Sequence, residues 1–217
     1  MRALRLVCGA AVYATCLAGA ACRTATPATQ SAPIVQPGAP GQPSLTIDAT
    51  RAVDLSKVRF TPADVEFMQG MISHHAQAIE MTELLATRTE RDIMRKLAER
   101  IDISQADEIT MMQQWLVARG QIAPEQHAHH HEAVMMPGML TPEQMARLAA
   151  AHGTEFDRLF LQGMIAHHQG ALTMVDELVK IPGAAQESEI FGFVSDVEAD
   201  QSAEIARMGA MLQEFMK

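Results

Sequence analysis

Phe67–Leu85 reads FMQGMISHHAQAIEMTELL, and Phe160–Leu178 reads FLQGMIAHHQGALTMVDEL. The two stretches lie 93 residues apart and share Phe, Gln-Gly-Met-Ile, His-His, Ala and Met in one register. Asp64 and Asp157 match as well, three residues upstream of each Phe. Phe67, Met71, His74, Ala78, Met81 and Leu85 step by 4, 3, 4, 3 and 4, and Phe160, Met164, His167, Ala171, Met174 and Leu178 step identically. That spacing predicts two amphipathic helices, each burying one stripe in a bundle seam. His74 and His167 fall on the seams; His75 and His168 fall just beside them, one turn from Met71 and Met164.

A second match follows at an offset of 96: Leu97, Ile101, Gln105, Glu108, Met112 and Leu116 correspond to Phe193, Val197, Gln201, Glu204, Met208 and Leu212. Each half is therefore a helix pair, and the fold class is all-α, a four-helix bundle built by duplication. Gln105 with Glu108, and Gln201 with Glu204, interrupt otherwise apolar stripes. Buried polar groups need partners, so each Gln/Glu pair is expected to face a His pair and orient its imidazoles as outer support. Gly70 and Gly163 mark points of close approach.

Outside the repeat, the chain divides by composition. Residues 1–22 carry Arg2 and Arg5, then an apolar run from Leu6 to Ala21 ending in small residues, which reads as an export signal. Ala18-Gly19-Ala20 suits ordinary cleavage. Gly19-Ala20-Ala21-Cys22 resembles a lipoprotein box that would lipidate Cys22, although Gly19 stands where a large aliphatic residue is usual. Residues 23–59, with five prolines among Ala, Thr, Gln and Gly, are expected to be a disordered tether. The folded domain is expected over 60–217, with halves at about 60–120 and 141–217 joined by a loop at 121–140; Thr61-Pro62 and Thr141-Pro142 are helix-start signals.

Composition excludes several functions. Apolar residues make up 48% and aromatics only 4%, which favours Leu/Ala/Met helices over a sandwich of strands. Loss of residues 1–21 leaves 15 basic against 26 acidic side chains, a net −11, and no basic patch for nucleic acid. Cys8 and Cys16 leave with the signal, so at most Cys22 remains and no intramolecular disulfide or Cys-based zinc motif exists. A ferritin-type di-iron centre wants Glu-x-x-His, and Met71 and Met164 stand where those glutamates would be. Contact with a membrane is expected only through the signal or a lipid anchor.

Four imidazoles on seams are costly to bury without a ligand or hydrogen-bond partners, and each pair has Met at −3 and +7 from its first His. His74, His75, His167 and His168 are therefore the candidate metal ligands, with Met71, Met81, Met164 and Met174 in support; plain core packing is the competing role for those methionines. Imidazole suits copper, zinc and nickel, and thioether adds preference for Cu(I) or Ag(I). Copper, as Cu(I) or Cu(II), is the expected ion, with silver next and zinc behind. A second candidate is the His/Met-rich segment Gln126–Met139, in which His127, His129, His130 and His131 precede Met135, Met136 and Met139; it reads as a loose capture site or as a polar connecting loop.

Asp64, Phe67, Met71, His74, His75, Ala78 and Met81, repeated as Asp157, Phe160, Met164, His167, His168, Ala171 and Met174, resemble the signature of the bacterial family catalogued as domain of unknown function 305. The resemblance covers about residues 60–217. It implies a ferritin-like four-helix bundle, export to the periplasm or cell surface, and, for some members, copper or silver binding linked to metal tolerance. The combined expectation is a non-catalytic protein that buffers, sequesters or transfers copper, with other copper-handling proteins as partners. Asp64 and Asp157 would serve as helix N-terminal acids or outer ligands. A redox enzyme using the same site, or an interaction module in which the histidines only pack, are the alternatives.

Overall fold

The computed structural model describes residues 33–36, 43–52, 58–124 and 135–215. Two compact units emerge, Met1–Asp54 and Leu55–Lys217. In the first, within the stretch expected to be a disordered tether, β1 (Ile34–Gln36) and β2 (Leu45–Ile47) pair antiparallel with Ile34 opposite Ile47, and α1 (Ala49–Ala52) follows.

The second unit is helical: α2 (Pro62–Glu83), α3 (Leu85–Arg88), α4 (Asp92–Ala118), α5 (Pro142–Ala150), α6 (Gly153–Val179) and α7 (Ser188–Phe215). α2 packs on α4, α6 on α7, and α2 on α6 at the centre. This is the duplicated helix pair expected from the repeat. α2 starts where the Thr61-Pro62 signal places it. The Thr61 hydroxyl accepts from the Asp64 N–H, and the Asp64 carboxylate accepts from the Thr61 N–H at 2.7 Å, closing a capping box with Pro62 in the first turn. Thr141 closes a similar box with Gln144, but it begins the short α5 rather than the third long helix. α6 starts afresh at Gly153 after an extended break at Ala151 and His152.

The seam residues are buried as the spacing requires: Phe67, Met71, Ala78, Met81 and Leu85 on α2, and Phe160, Met164, Ala171 and Leu178 on α6. The apolar core nevertheless comes in two separate clusters. One gathers Phe67, Met71, Met112, Trp115, Phe193 and Val197. The other gathers Met81, Leu97, Ile101, Phe156, Phe160 and Met208. On all four long helices the residues between the clusters are polar: His74 and His75, Gln105 and Glu108, His167 and His168, Gln201 and Glu204. The pseudo-two-fold that exchanges the halves also exchanges the clusters, so the polar layer sits across the waist of the bundle.

Candidate metal centre

All four imidazoles of this layer are at most 1% exposed. Each has one ring nitrogen tied to an oxygen of fixed character. His75 Nε2 lies 2.5 Å from Glu108 Oε2, and His168 Nε2 lies 2.7 Å from Glu204 Oε2. His74 Nε2 donates to the Pro137 carbonyl at 3.0 Å, and His167 Nε2 donates to the His74 carbonyl at 3.0 Å. A carbonyl or carboxylate oxygen accepts only, so each Nε2 carries a proton. In a neutral ring held this way, Nδ1 carries a bare lone pair. In all four residues Nδ1 is buried and without a hydrogen-bond partner.

The charge state agrees. Burial holds the His74 imidazole down at about 3 from an ordinary 6.5; repulsion from His75 and His168 adds to this, while the bond to Pro137 works the other way. His167 lies well below its ordinary value, first from burial and then from His74, His168 and His75. The rings of His74 and His167 are close neighbours across the central seam, with centroids 3.9 Å apart and planes inclined by 38°. Neither is a cation at neutral pH. Both are buried electron-pair donors.

The carboxylates sit as the stripe comparison predicted, each on the companion helix of its own half: Glu108 on α4 serves His75 on α2, and Glu204 on α7 serves His168 on α6. The carboxamides depart from expectation. Because every imidazole Nδ1 is unpartnered and every Nε2 is engaged elsewhere, neither Gln105 nor Gln201 orients a histidine; the Oε1 of each is itself buried and unpartnered. Asp64 is committed to its cap: one oxygen binds Thr61 and the other accepts from the Ala185 N–H at 2.7 Å. Asp157, its repeat partner, lies inside α6. There Arg91 Nε stands 3.2 Å from one oxygen and the other is buried unpartnered. Both acids act at the helix ends and between helices, not on the imidazoles.

The joining segment is the feature that sequence reasoning missed. Residues 125–134, with His127, His129, His130 and His131, lie outside the described residues. Met136–Leu140 is not a loose loop but a strap laid along the α2–α6 seam. Besides the His74 bond, the Gln77 side chain donates to the Leu140 carbonyl at 2.9 Å and accepts from its N–H at 2.7 Å. Gly138 and Gly170 let backbone meet backbone: a Cβ on Gly170 would stand 1.9 Å from the Pro137 oxygen. Gly170 interrupts the repeat where the first half has Gln77, and that mismatch was the available signal.

The strap brings sulfur to the seam. Met136 Sδ and Met174 Cε lie 3.3 and 3.6 Å from the position a Gly70 Cβ would take, while Met81 Cε and Leu140 cover Gly163 in the equivalent way. Gly70 and Gly163 are thus close-packing points, met by side chains rather than by a helix backbone. Met139 is buried beside them, and Met135 is half exposed. Met71, Met81 and Met164 are fully buried among core residues next to the polar layer. Among the described residues no three or more His, Cys, Asp or Glu side chains converge as a ready cation cage. The donors on hand are paired nitrogens and sulfur, a set suited to a soft ion of low coordination number.

The pattern of the family described as "Domain of unknown function (DUF305)" matches residues 64–212. Among solved structures, a DUF305 protein of Streptomyces coelicolor, described as secreted, is 29% identical, with a TM-score of 0.62 over 70% of this chain and 93% of that one. A DUF305 fragment from Deinococcus radiodurans is 30% identical, with a TM-score of 0.61 over 71% and 98%. CopM in its Cu(I)-bound form is 29% identical, with a TM-score of 0.57 over 73% and 100%, and the same protein is similar in Cu(II)-bound and silver-bound forms. No curated protein matches the chain.

Proposed function

The chain belongs to the DUF305 family, and from that premise we propose that it is an exported protein that binds Cu(I), or Ag(I) in its place, and that it sequesters, buffers or passes on the ion rather than catalysing a reaction with it. The observation that carries this reading is the common arrangement of the four histidines: Nε2 held by an oxygen, and a buried, unpartnered Nδ1. Metal-binding imidazoles take that state, with the far nitrogen donating to a carboxylate or carbonyl that fixes the tautomer and raises ligand basicity. Leaving four such nitrogens dry and unpartnered would cost several kcal/mol.

His74, His75, His167 and His168 supply the nitrogens. Met136, Met139 and Met174 around the strap, with Met71, Met81 and Met164 in the adjoining core, supply thioethers. CopM, bound to Cu(I), Cu(II) and silver in its solved forms, supports copper and silver over zinc. The apolar leader at residues 1–22 and the secreted Streptomyces relative support export. The four imidazoles are themselves buried from solvent, which supports a carrier over an enzyme.

The test is competition for Cu(I) between the purified protein and a chromophoric chelator. The wild type should withdraw the ion from the chelator. The His74→Ala/His75→Ala/His167→Ala/His168→Ala variant should not, provided its far-UV dichroism stays helical. Affinity undiminished by that replacement would overturn the assignment.

A further inference from the structure

The offset of 96 that relates α4 to α7 in the core also relates their outer surfaces, and there the halves differ in charge. Two grooves run between these helices. One, of about 730 Å³, lies between the C-terminal part of α4 and the N-terminal part of α7; the other, of about 450 Å³, lies between the N-terminal part of α4 and the C-terminal part of α7. They are pseudo-two-fold equivalents. Phe193 and Trp115 floor the first where Leu97 and Met211 floor the second; Asp196 stands in the first where Arg100 stands in the second, and Met111 where Arg207 stands.

The duplication has been decorated with opposite signs. The first groove is edged by Asp107, Glu108, Glu189, Asp196 and Asp200; at its end Arg119 pairs with Glu189 at 2.9 Å and stacks on Trp115, which leaves Asp107, Asp196 and Asp200 as its acidic rim. The second is edged by Lys96, Arg100 and Arg207, with Glu214 its one acid. Asp107, Asp196, Asp200, Lys96 and Arg207 are exposed. Gly192, with nothing within 4 Å of a notional Cβ, keeps the acidic groove open, and Ile93 and Ile103 leave apolar surface 51% and 56% exposed on the same helix, α4.

A face with an acidic end and a basic end, both in shallow apolar grooves, is complementary to itself turned end for end. We propose that the α4–α7 face is the interface of a two-fold symmetric homodimer, in which the acidic groove of each copy sits over the basic groove of the other. A dyad lying in the face and perpendicular to the grooves makes both charged contacts at once, the isologous arrangement that closed dimers favour. Charge pairing at the rims sets the register, and the apolar floors supply the buried area. This inference uses no metal ligand and stands apart from copper binding.

Sedimentation velocity of the mature protein across a concentration series is the test. The wild type should show a reversible monomer–dimer equilibrium. Asp196→Lys/Asp200→Lys sets basic against basic, and Lys96→Glu/Arg207→Glu sets acidic against acidic; each should raise the dimer dissociation constant at least about tenfold. An equimolar mixture of the two variants should associate again. Each variant shifts the −11 of the mature protein by four charges, to −7 and −15, so both stay net acidic and bulk attraction does not explain a recovered heterodimer. Gly192→Tyr, which blocks a groove from a helix site where a Cβ meets nothing within 4 Å, should also give monomers, and this holds the test should a charge variant misfold. A monomeric wild type at every concentration, or a mixture that fails to associate, overturns the proposal. So does a monomeric wild type whose acidic groove instead takes a Lys-rich helical peptide.

Discussion

His167 donates its Nε2–H to the main-chain carbonyl of His74, 3.0 Å away, while the two rings lie 3.9 Å apart between centroids. One histidine thus fixes the other's backbone and its own tautomer in a single contact across the central seam. Both rings are neutral because a charge there would be desolvated and faced by its neighbours.

That neutrality makes the metal-free protein acid-sensitive. His74 titrates near 3 and His167 well below 6.5 when folded, whereas both sit near 6.5 when unfolded. Between those limits the unfolded chain binds the extra protons, so stability rises with pH. The contribution is fully present above about pH 6.5 and drains away as pH falls toward 3, at about 1.4 kcal/mol per pH unit for each imidazole. Urea denaturation at a series of pH values should show this slope in the wild type and a shallower one in His74→Gln/His167→Gln. Equal slopes would refute the account.

The two carboxylates should matter for affinity more than for folding. Glu108→Gln and Glu204→Gln preserve shape but remove the charge that holds the imidazole proton on Nε2 of His75 and His168. Each should weaken Cu(I) binding about 10- to 100-fold with the helical dichroism unchanged, read by the same chelator competition. Replacement of both with no change in affinity would show that the tautomer is set elsewhere.

Glycine positions give opposite expectations within one fold. Gly170→Ala would drive a Cβ to 1.9 Å from the Pro137 oxygen and 2.7 Å from Gly138 Cα, backbone that has nowhere to go. A loss of about 1–3 kcal/mol is expected, with the strap displaced. Gly209→Ala in α7 meets nothing within 4 Å and should gain about 1 kcal/mol from helix propensity. Denaturant midpoints measure both, and the same sign for the two would contradict the packing described.

Asp64 is the third lever. It accepts from the Thr61 N–H and hydroxyl and from the buried N–H of Ala185, a non-glycine residue at φ 56°. Asp64→Ala removes a cap and strands a buried donor, for about 2–4 kcal/mol of lost stability. Thermal unfolding should move accordingly, while Thr61→Ala, which leaves the Ala185 bond intact, should cost less.

What could be read before any coordinates was whatever depends on period. The 4-3 stepping through Phe67, His74 and Met81 located the seam, because a helix repeats its faces at a fixed angle. The interruption of the α4 stripe at Glu108 pointed to His75, because a polar residue on a buried stripe needs a partner. The strap was not legible, since it depends on two glycines, Gly138 and Gly170, brought together across 32 residues, and on Gln77, one position outside the repeat pattern. Asp157 was misread through Asp64 for a related reason. α6 begins two residues earlier than the repeat of Pro62 requires, so the acid that caps one helix stands inside the other.

The strap also governs time. Pro137 occupies the His74 proton, Gly138 rests on α6, and Gln77 grips Leu140 at both of its backbone atoms, so the strap covers its side of the seam until the segment lifts. Such lifting is a local unfolding event with its own rate, independent of how much ion waits outside. Uptake would then level off as ion concentration rises, and a captured ion would leave no faster than the clasp opens, giving slow exchange to a site built from weak individual donors.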